Sequence, residues 1–221
     1  MQIANIAIAL SAAASAVSAH MAMVKPCSRY TPRGQCPQLP SGQSLDYSLN
    51  APLAVDAPLC KHTVPYDTPV ESWKAGDTVT VKFDTVGGAG HGGGHCQFSI
   101  SYDGGKTFVV LYEVLKYCFF NGPSTSNTPQ VLSYTFKLPT NIPSSSKAVF
   151  SWSWVNAMGN REFYQNCADV SITGSSAGSF SGKEMVIANH NGYPTIPEFA
   201  GNYDTGLDLY RNAKNITVKG S

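Results

Sequence analysis

The chain has 221 residues, with 15 Lys and Arg against 14 Asp and Glu, a formal net charge of +1. So balanced a composition gives no electrostatic reason to bind nucleic acid or an anionic membrane surface, and a neutral polymer is the easier partner to imagine. The length beyond residue 19 suits one domain with a full core.

Residues 1–19 carry no charged side chain and are rich in Ala and Ile. The run is too short and too rich in small residues to favour a spanning helix. Val17 at −3 and Ala19 at −1 fit the small-residue rule for secretory cleavage. The expectation is a signal peptide over 1–19 and a secreted, extracellular mature chain of residues 20–221, with no membrane anchor. Cleavage would turn His20 into an N-terminal histidine, able to chelate a metal through its α-amine and its ring Nδ1.

Six cysteines follow: Cys27, Cys36, Cys60, Cys96, Cys118 and Cys167. An even number behind a secretion signal reads as three disulfides, whose pairing the sequence alone leaves open. No CxxC pair is present, which disfavours a cysteine-rich zinc site. Asn215-Ile216-Thr217 is an N-glycosylation sequon, consistent with secretion.

In chain order, residues 20–76 are rich in Pro, Ser and Gly, and read as long loops pinned by Cys27, Cys36 and Cys60. Asp77–Phe83 alternates, with Val79, Val81 and Phe83 on one face. A glycine-rich stretch carries His91 and His95. Cys96–Tyr102 alternates again, and the turn signal Asp103-Gly104-Gly105-Lys106 leads into Thr107–Glu113 as a hairpin. Leu132–Leu138 and Ala148–Trp154 alternate as well; Ala168–Thr173 and Met185–Ala188 are shorter candidates. Gly174–Gly182 reads as a long loop, and the tail 190–221 as a wrap over the body with a frayed end. Short strands between Gly, Pro, Ser and Asn clusters predict an all-β antiparallel β-sandwich with long disulfide-pinned loops.

The five histidines are His20, His62, His91, His95 and His190. Glycines flank His91, leaving its backbone free and its imidazole unobstructed. They also rule against a helical zinc pair with His95. A terminal amine, Nδ1 of His20 and one nitrogen of His91 would supply three nitrogen donors, a set that suits copper. The segment Gly159-Asn160-Arg161-Glu162-Phe163-Tyr164-Gln165-Asn166-Cys167 packs polar groups and an acid just before a cysteine. By itself it reads equally as the start of a strand.

Taken in order, His20-Met21-Ala22-Met23, His91-Gly92-Gly93-Gly94, Cys96 to Gly105, Trp152-Ser153-Trp154-Val155-Asn156 and Gly159 to Ala168 resemble the fungal lytic polysaccharide monooxygenases of auxiliary activity family 11. The resemblance covers most of residues 20–200. It implies an immunoglobulin- or fibronectin-III-like sandwich holding one copper per chain in a histidine brace. His20 and His91 would be the metal ligands and Tyr164 the weak axial donor, with Glu162 and Ala89 beside the open positions. It further implies oxidation of β-1,4 bonds in chitin, or a related insoluble β-1,4 polysaccharide, by a monomer using an external electron donor and H2O2 or O2. The pairing it implies is Cys60–Cys167, Cys96–Cys118 and Cys27–Cys36.

Two departures stand out. His95 replaces an expected small residue, and is an additional base near the site, an extra ligand, or, as the favoured reading, an exposed side chain. Lys25 and Cys27 lie in a zone expected to border the substrate face. No pair of carboxylates suits glycoside hydrolysis. The alternatives are a histidine-brace copper-binding protein without oxygenase activity and a cell-wall carbohydrate-binding sandwich.

Overall fold

The computed structural model describes residues 20–86, 91–126, 128–175 and 178–220, with His20 and Val86 described through their backbones. The strands among them are β1 (His20–Lys25), β2 (Glu71–Lys74), β3 (Thr78–Val86), β4 (Gly94–Ser101), β5 (Val109–Val114), β6 (Ser133–Lys137), β7 (Ser145–Asn156), β8 (Tyr164–Thr173), β9 (Ser179–Lys183) and β10 (Asn215–Lys219), with a short helix α1 (Leu207–Arg211) before the last. One sheet runs β1-β3-β6 and faces a second running β2-β8-β7-β4-β5, while β9 and β10 form a separate pair. This is the expected β-sandwich.

Alternation explains why these strands face each other. On β3, Val79, Val81 and Phe83 point inward; on β6, Tyr134 and Phe136 do so. They meet Phe98 and Ile100 of β4 and Phe150, Trp152 and Trp154 of β7 in one cluster. The Phe83 ring meets the Trp152 ring edge-on at 4.8 Å. Each such side chain contributes about 1.5–3 kcal/mol by leaving water.

The outer face of the larger sheet is also covered, by the loops 49–66 and the segment 184–210. Every residue of β4 is therefore buried. Its outward side chains are polar, and two of them, His95 and Gln97, bind the backbone of the covering segments. Gln97 Oε1 accepts from Val186 N–H at 2.8 Å. On β8, Gln165 Oε1 accepts from Cys60 N–H at 2.8 Å, and Asp169 accepts from Tyr66 N–H at 2.8 Å. Asp169 also takes both Nε and Nη2 of the buried Arg29. Buried polar groups need such partners, since leaving one unpaired costs about 1–3 kcal/mol.

The three disulfides are Cys27–Cys36, Cys60–Cys167 and Cys96–Cys118, as the resemblance implied. Cys60–Cys167 ties the loop layer to β8. Cys96–Cys118 ties the start of β4 to the turn beyond β5.

Several expectations are corrected. Residues 20–76 contain β1 and β2, and β2 pairs with β8 in parallel, so the sandwich is not wholly antiparallel. Met185–Ala188 forms no strand. The strand falls earlier, at β9, inside the stretch expected to be loop. The tail is not frayed through Lys219: β10 pairs with β9 from Asn215 to Lys219. Lys25 lies at the far end of β1, about 17 Å along the strand from His20, and faces Glu71 at 3.7 Å. It does not border the site described next. Neither does Cys27, which is buried.

Candidate metal centre

β1 begins at His20, whose backbone pairs with Val86, the last residue of β3. Five residues beyond Val86 stands His91, so strand pairing delivers both histidines to one end of the sandwich. The His91 ring is mostly covered, its side chain 12% exposed. It lies against the backbone of Gly159, where a Cβ would overlap the imidazole. Gly159 has φ 92°, a left-handed conformation that glycine adopts without strain. The turn holding Gly159 is drawn in by Asn156, whose Nδ2 donates to Met158 O at 2.7 Å and Asn160 O at 2.9 Å.

The next glycines are shaped by the same need for close approach. A Cβ on Gly92 would strike the Phe120 ring, one on Gly93 the Tyr203 ring, and one on Gly94 the carbonyl of Val155. Gly93 N–H donates to Cys118 O and Gly94 N–H to Lys116 O, each at 2.7 Å. Gly93 O accepts from Trp154 Nε1 at 2.9 Å. The glycine run is thus held between rings and strands, and it aims His91.

Glu162 and Tyr164 complete the cluster. Glu162 Oε2 accepts the Tyr164 hydroxyl at 2.6 Å and stands 3.5 Å from His91 Nε2. Tyr164 is 1% exposed, with its ring 4.8 Å from that of Trp154. Burial and the bond to Glu162 hold its phenol well above the ordinary tyrosine range, so it stays a neutral donor. Asn189 Nδ2 reaches Glu162 O at 3.4 Å.

His95 is not exposed, and it is not at the centre. It points to the loop-covered face, fully buried. Its Nδ1 accepts from Lys116 N–H at 3.0 Å, and its Nε2 donates to Thr205 O at 3.0 Å. Both ring nitrogens are therefore used by backbone groups, and neither is left for a metal. Burial pushes its imidazole below the ordinary histidine value. Ala89 lies outside the described residues. Asn215 is exposed at the start of β10, where an attached glycan would meet solvent.

The sequence reading missed Gly159 as the seat of His91, Asn189 as a support of the Glu162 backbone, and Tyr203 as a support of the glycine run. The Asn156-to-Asn160 turn carried a signal for the first, since Gly in such a cluster marks a position requiring positive φ. Nothing local signals the other two.

Among the described residues no three His, Cys, Asp or Glu side chains converge on one point. A metal here depends on His20 joining His91. One imidazole held mostly out of water beside a carboxylate and a neutral phenol, with a strand start brought alongside, fits copper, which takes nitrogen donors with few further ligands.

Fold and cluster define a class: a β-sandwich presenting a histidine beside a buried tyrosine–glutamate pair at one end of its sheets. No family model matches the sequence. The chain is 39% identical over 167 residues to AA11 family lytic polysaccharide monooxygenase A of Aspergillus fumigatus, spanning 73% of this chain and 68% of that protein. It is 32% identical over 179 residues to an AA11 family lytic polysaccharide monooxygenase of Aspergillus oryzae, spanning 74% of this chain and 38% of that longer protein. The chain belongs to the AA11 family of lytic polysaccharide monooxygenases. Among solved structures, a chitin binding domain from Burkholderia pseudomallei superposes with TM-score 0.41 at 15% identity, covering 70% of this chain and 99% of that one. HiLPMO9B gives 0.41 at 18%, covering 65% and 66%.

Proposed function

We propose that the chain is a secreted, copper-dependent monooxygenase that breaks β-1,4 glycosidic bonds of chitin by oxidation. The observation that carries this reading is the convergence of His91 Nε2 and the Tyr164 hydroxyl on Glu162 Oε2, at the end of the sandwich where β1 begins at His20.

His20, freed by cleavage after Ala19, would hold the copper through its amine and Nδ1, and His91 would add the second imidazole. When bound, copper supplies one-electron chemistry with O2 or H2O2, an external donor providing the reducing equivalents. Tyr164 stays protonated and fixes one oxygen of Glu162. Glu162 thereby presents its carboxylate toward His91 in one orientation, placed to hold or pass a proton. The Trp154 ring and the packed glycine run keep water from the inner side. No helix among the described residues is long and apolar enough to cross a membrane.

The test is release of oxidised oligosaccharides from insoluble chitin by the mature protein with copper and a reductant. Mass spectrometry would read the terminus alongside. Absence of oxidised products despite a His20 terminus and bound copper would overturn the reading in favour of a copper carrier.

A further inference from the structure

The buried imidazole of His95 bridges the turn after β5 to the tail of the chain, and both arms of that bridge lead back to the glycine run. On one arm, Nδ1 accepts from Lys116 N–H at 3.0 Å, and the Lys116 carbonyl accepts from Gly94 N–H at 2.7 Å. Lys116 has φ 73°, a conformation that a non-glycine residue keeps only when its surroundings impose it. On the other arm, Nε2 donates to Thr205 O at 3.0 Å. Two residues before Thr205, the Tyr203 ring meets the Tyr117 ring at 4.9 Å and closes on Gly93. Lys116 Nζ ties the arms together through Asp204 Oδ1 at 2.6 Å.

This linkage works in one protonation state. The neutral ring with its hydrogen on Nε2 accepts at Nδ1 and donates at Nε2, which matches both partners. The imidazolium would turn a second N–H toward that of Lys116, donor against donor. The charge would also form out of water, under the rings of Tyr210 and Phe199 at 4.6 and 5.4 Å. Among the charged neighbours, Asp204 and Glu113 favour the cation and Lys116 opposes it, while burial has the largest influence and disfavours it. Burial also holds the Tyr210 phenol above its ordinary range, so it stays neutral. From β7 the residue paired with His95 is Val155, which carries no charge.

We propose that His95 is a positioning residue for the copper ligand His91, and that the centre loses copper affinity when the His95 ring takes up a proton. The proposal rests on the reading of this end of the sandwich as a copper centre. His95 acts through Lys116, Tyr203 and the glycine run, and its own nitrogens stay on backbone groups. A ligand held by packed supports loses geometry when a support is withdrawn.

Two variants that do not titrate separate the two bonds. His95→Asn sets an oxygen near the place of Nδ1 and keeps an acceptor for Lys116 N–H. His95→Gln sets its amide nitrogen near the place of Nε2 and leaves Lys116 N–H without one. At about pH 8, His95→Gln should raise the copper dissociation constant of the mature protein about tenfold and change its EPR signal. His95→Asn should remain close to wild type in both. On acidification, wild type should lose affinity more steeply than His95→Asn. Wild-type affinity and spectrum in His95→Gln, an equal loss in both variants, or matching pH profiles for wild type and His95→Asn would overturn the proposal. In the metal-free protein, the amides of Gly93, Gly94 and Lys116 should follow the His95 titration by NMR in wild type and not in His95→Asn. That coupling in a protein that binds no copper upholds the linkage and sinks the copper reading. Chitin oxidised by a protein without that coupling sinks the linkage alone.

Discussion

The ring of Tyr203 occupies the space that a side chain on Gly93 would need. Its hydroxyl donates to Ser124 O at 2.5 Å and accepts from Ser124 N–H at 3.3 Å. The tail of the chain thereby clamps the glycine run two residues beyond His91. Gly93→Ala meets that ring and also a φ of 68°. It should cost about 1–3 kcal/mol, read by urea denaturation, and should weaken copper binding to the metal-free protein. Unchanged copper affinity would mean that the clamp does not position His91.

Gly159→Ala acts more directly on the same histidine. The new methyl and the imidazole cannot share their space, and φ 92° adds backbone strain. Copper affinity by calorimetry should fall at least about tenfold, since a displaced ligand loses its geometry. Wild-type affinity would show that His91 is not a ligand in this pose.

Tyr164→Phe keeps the ring packed on Trp154 and removes one donor from Glu162. The expected loss of stability is about 1 kcal/mol, small enough to leave a folded protein at room temperature. The copper EPR signal of that variant should differ from wild type. Superimposable spectra would remove Tyr164 from the centre.

The imidazole of His95 gives a pH dependence with a definite sign. Its folded pKa is depressed by burial, so on acidification the unfolded chain takes up a proton before the folded one does. Its contribution is complete above about pH 6.5 and declines as pH falls from there toward the lower folded value. His95→Gln should flatten that part of the stability curve measured by denaturant titration. An unaltered slope would place the titration elsewhere.

Retention of residues 1–19 blocks the amine of His20. Copper at about a thousandfold over its dissociation constant should stabilise the mature protein by about 4 kcal/mol. The uncleaved chain should gain far less. Equal gains in thermal melts would show that the amine is not a ligand.

How much of this was legible follows from which faces meet water. β3 and β6 alternate cleanly because one side is core and the other solvent. β4 also alternates, but its polar side is buried under loops, so no local pattern shows that His95, favoured as exposed, lies out of water. β9, Ser179–Lys183, is built from Ser, Gly and Lys around one Phe, and carried no strand signal. β1 was read for its first histidine, and its buried Met21 and Met23 were passed over. The grouping of His91, Glu162 and Tyr164 came from the family resemblance that the ordered motifs carry. The supports from Asn189 and Tyr203 cross long sequence separations that no local pattern records.

The polar side chains on the covered face of the large sheet work as addresses. Gln97 holds Val186, Gln165 holds Cys60, and Asp169 holds Tyr66, each through a backbone N–H. A loop moved here from a relative would arrive without its mooring unless the strand residue that receives it came too. Re-engineering the outer layer of this protein is therefore a matter of exchanging loop and strand position in pairs.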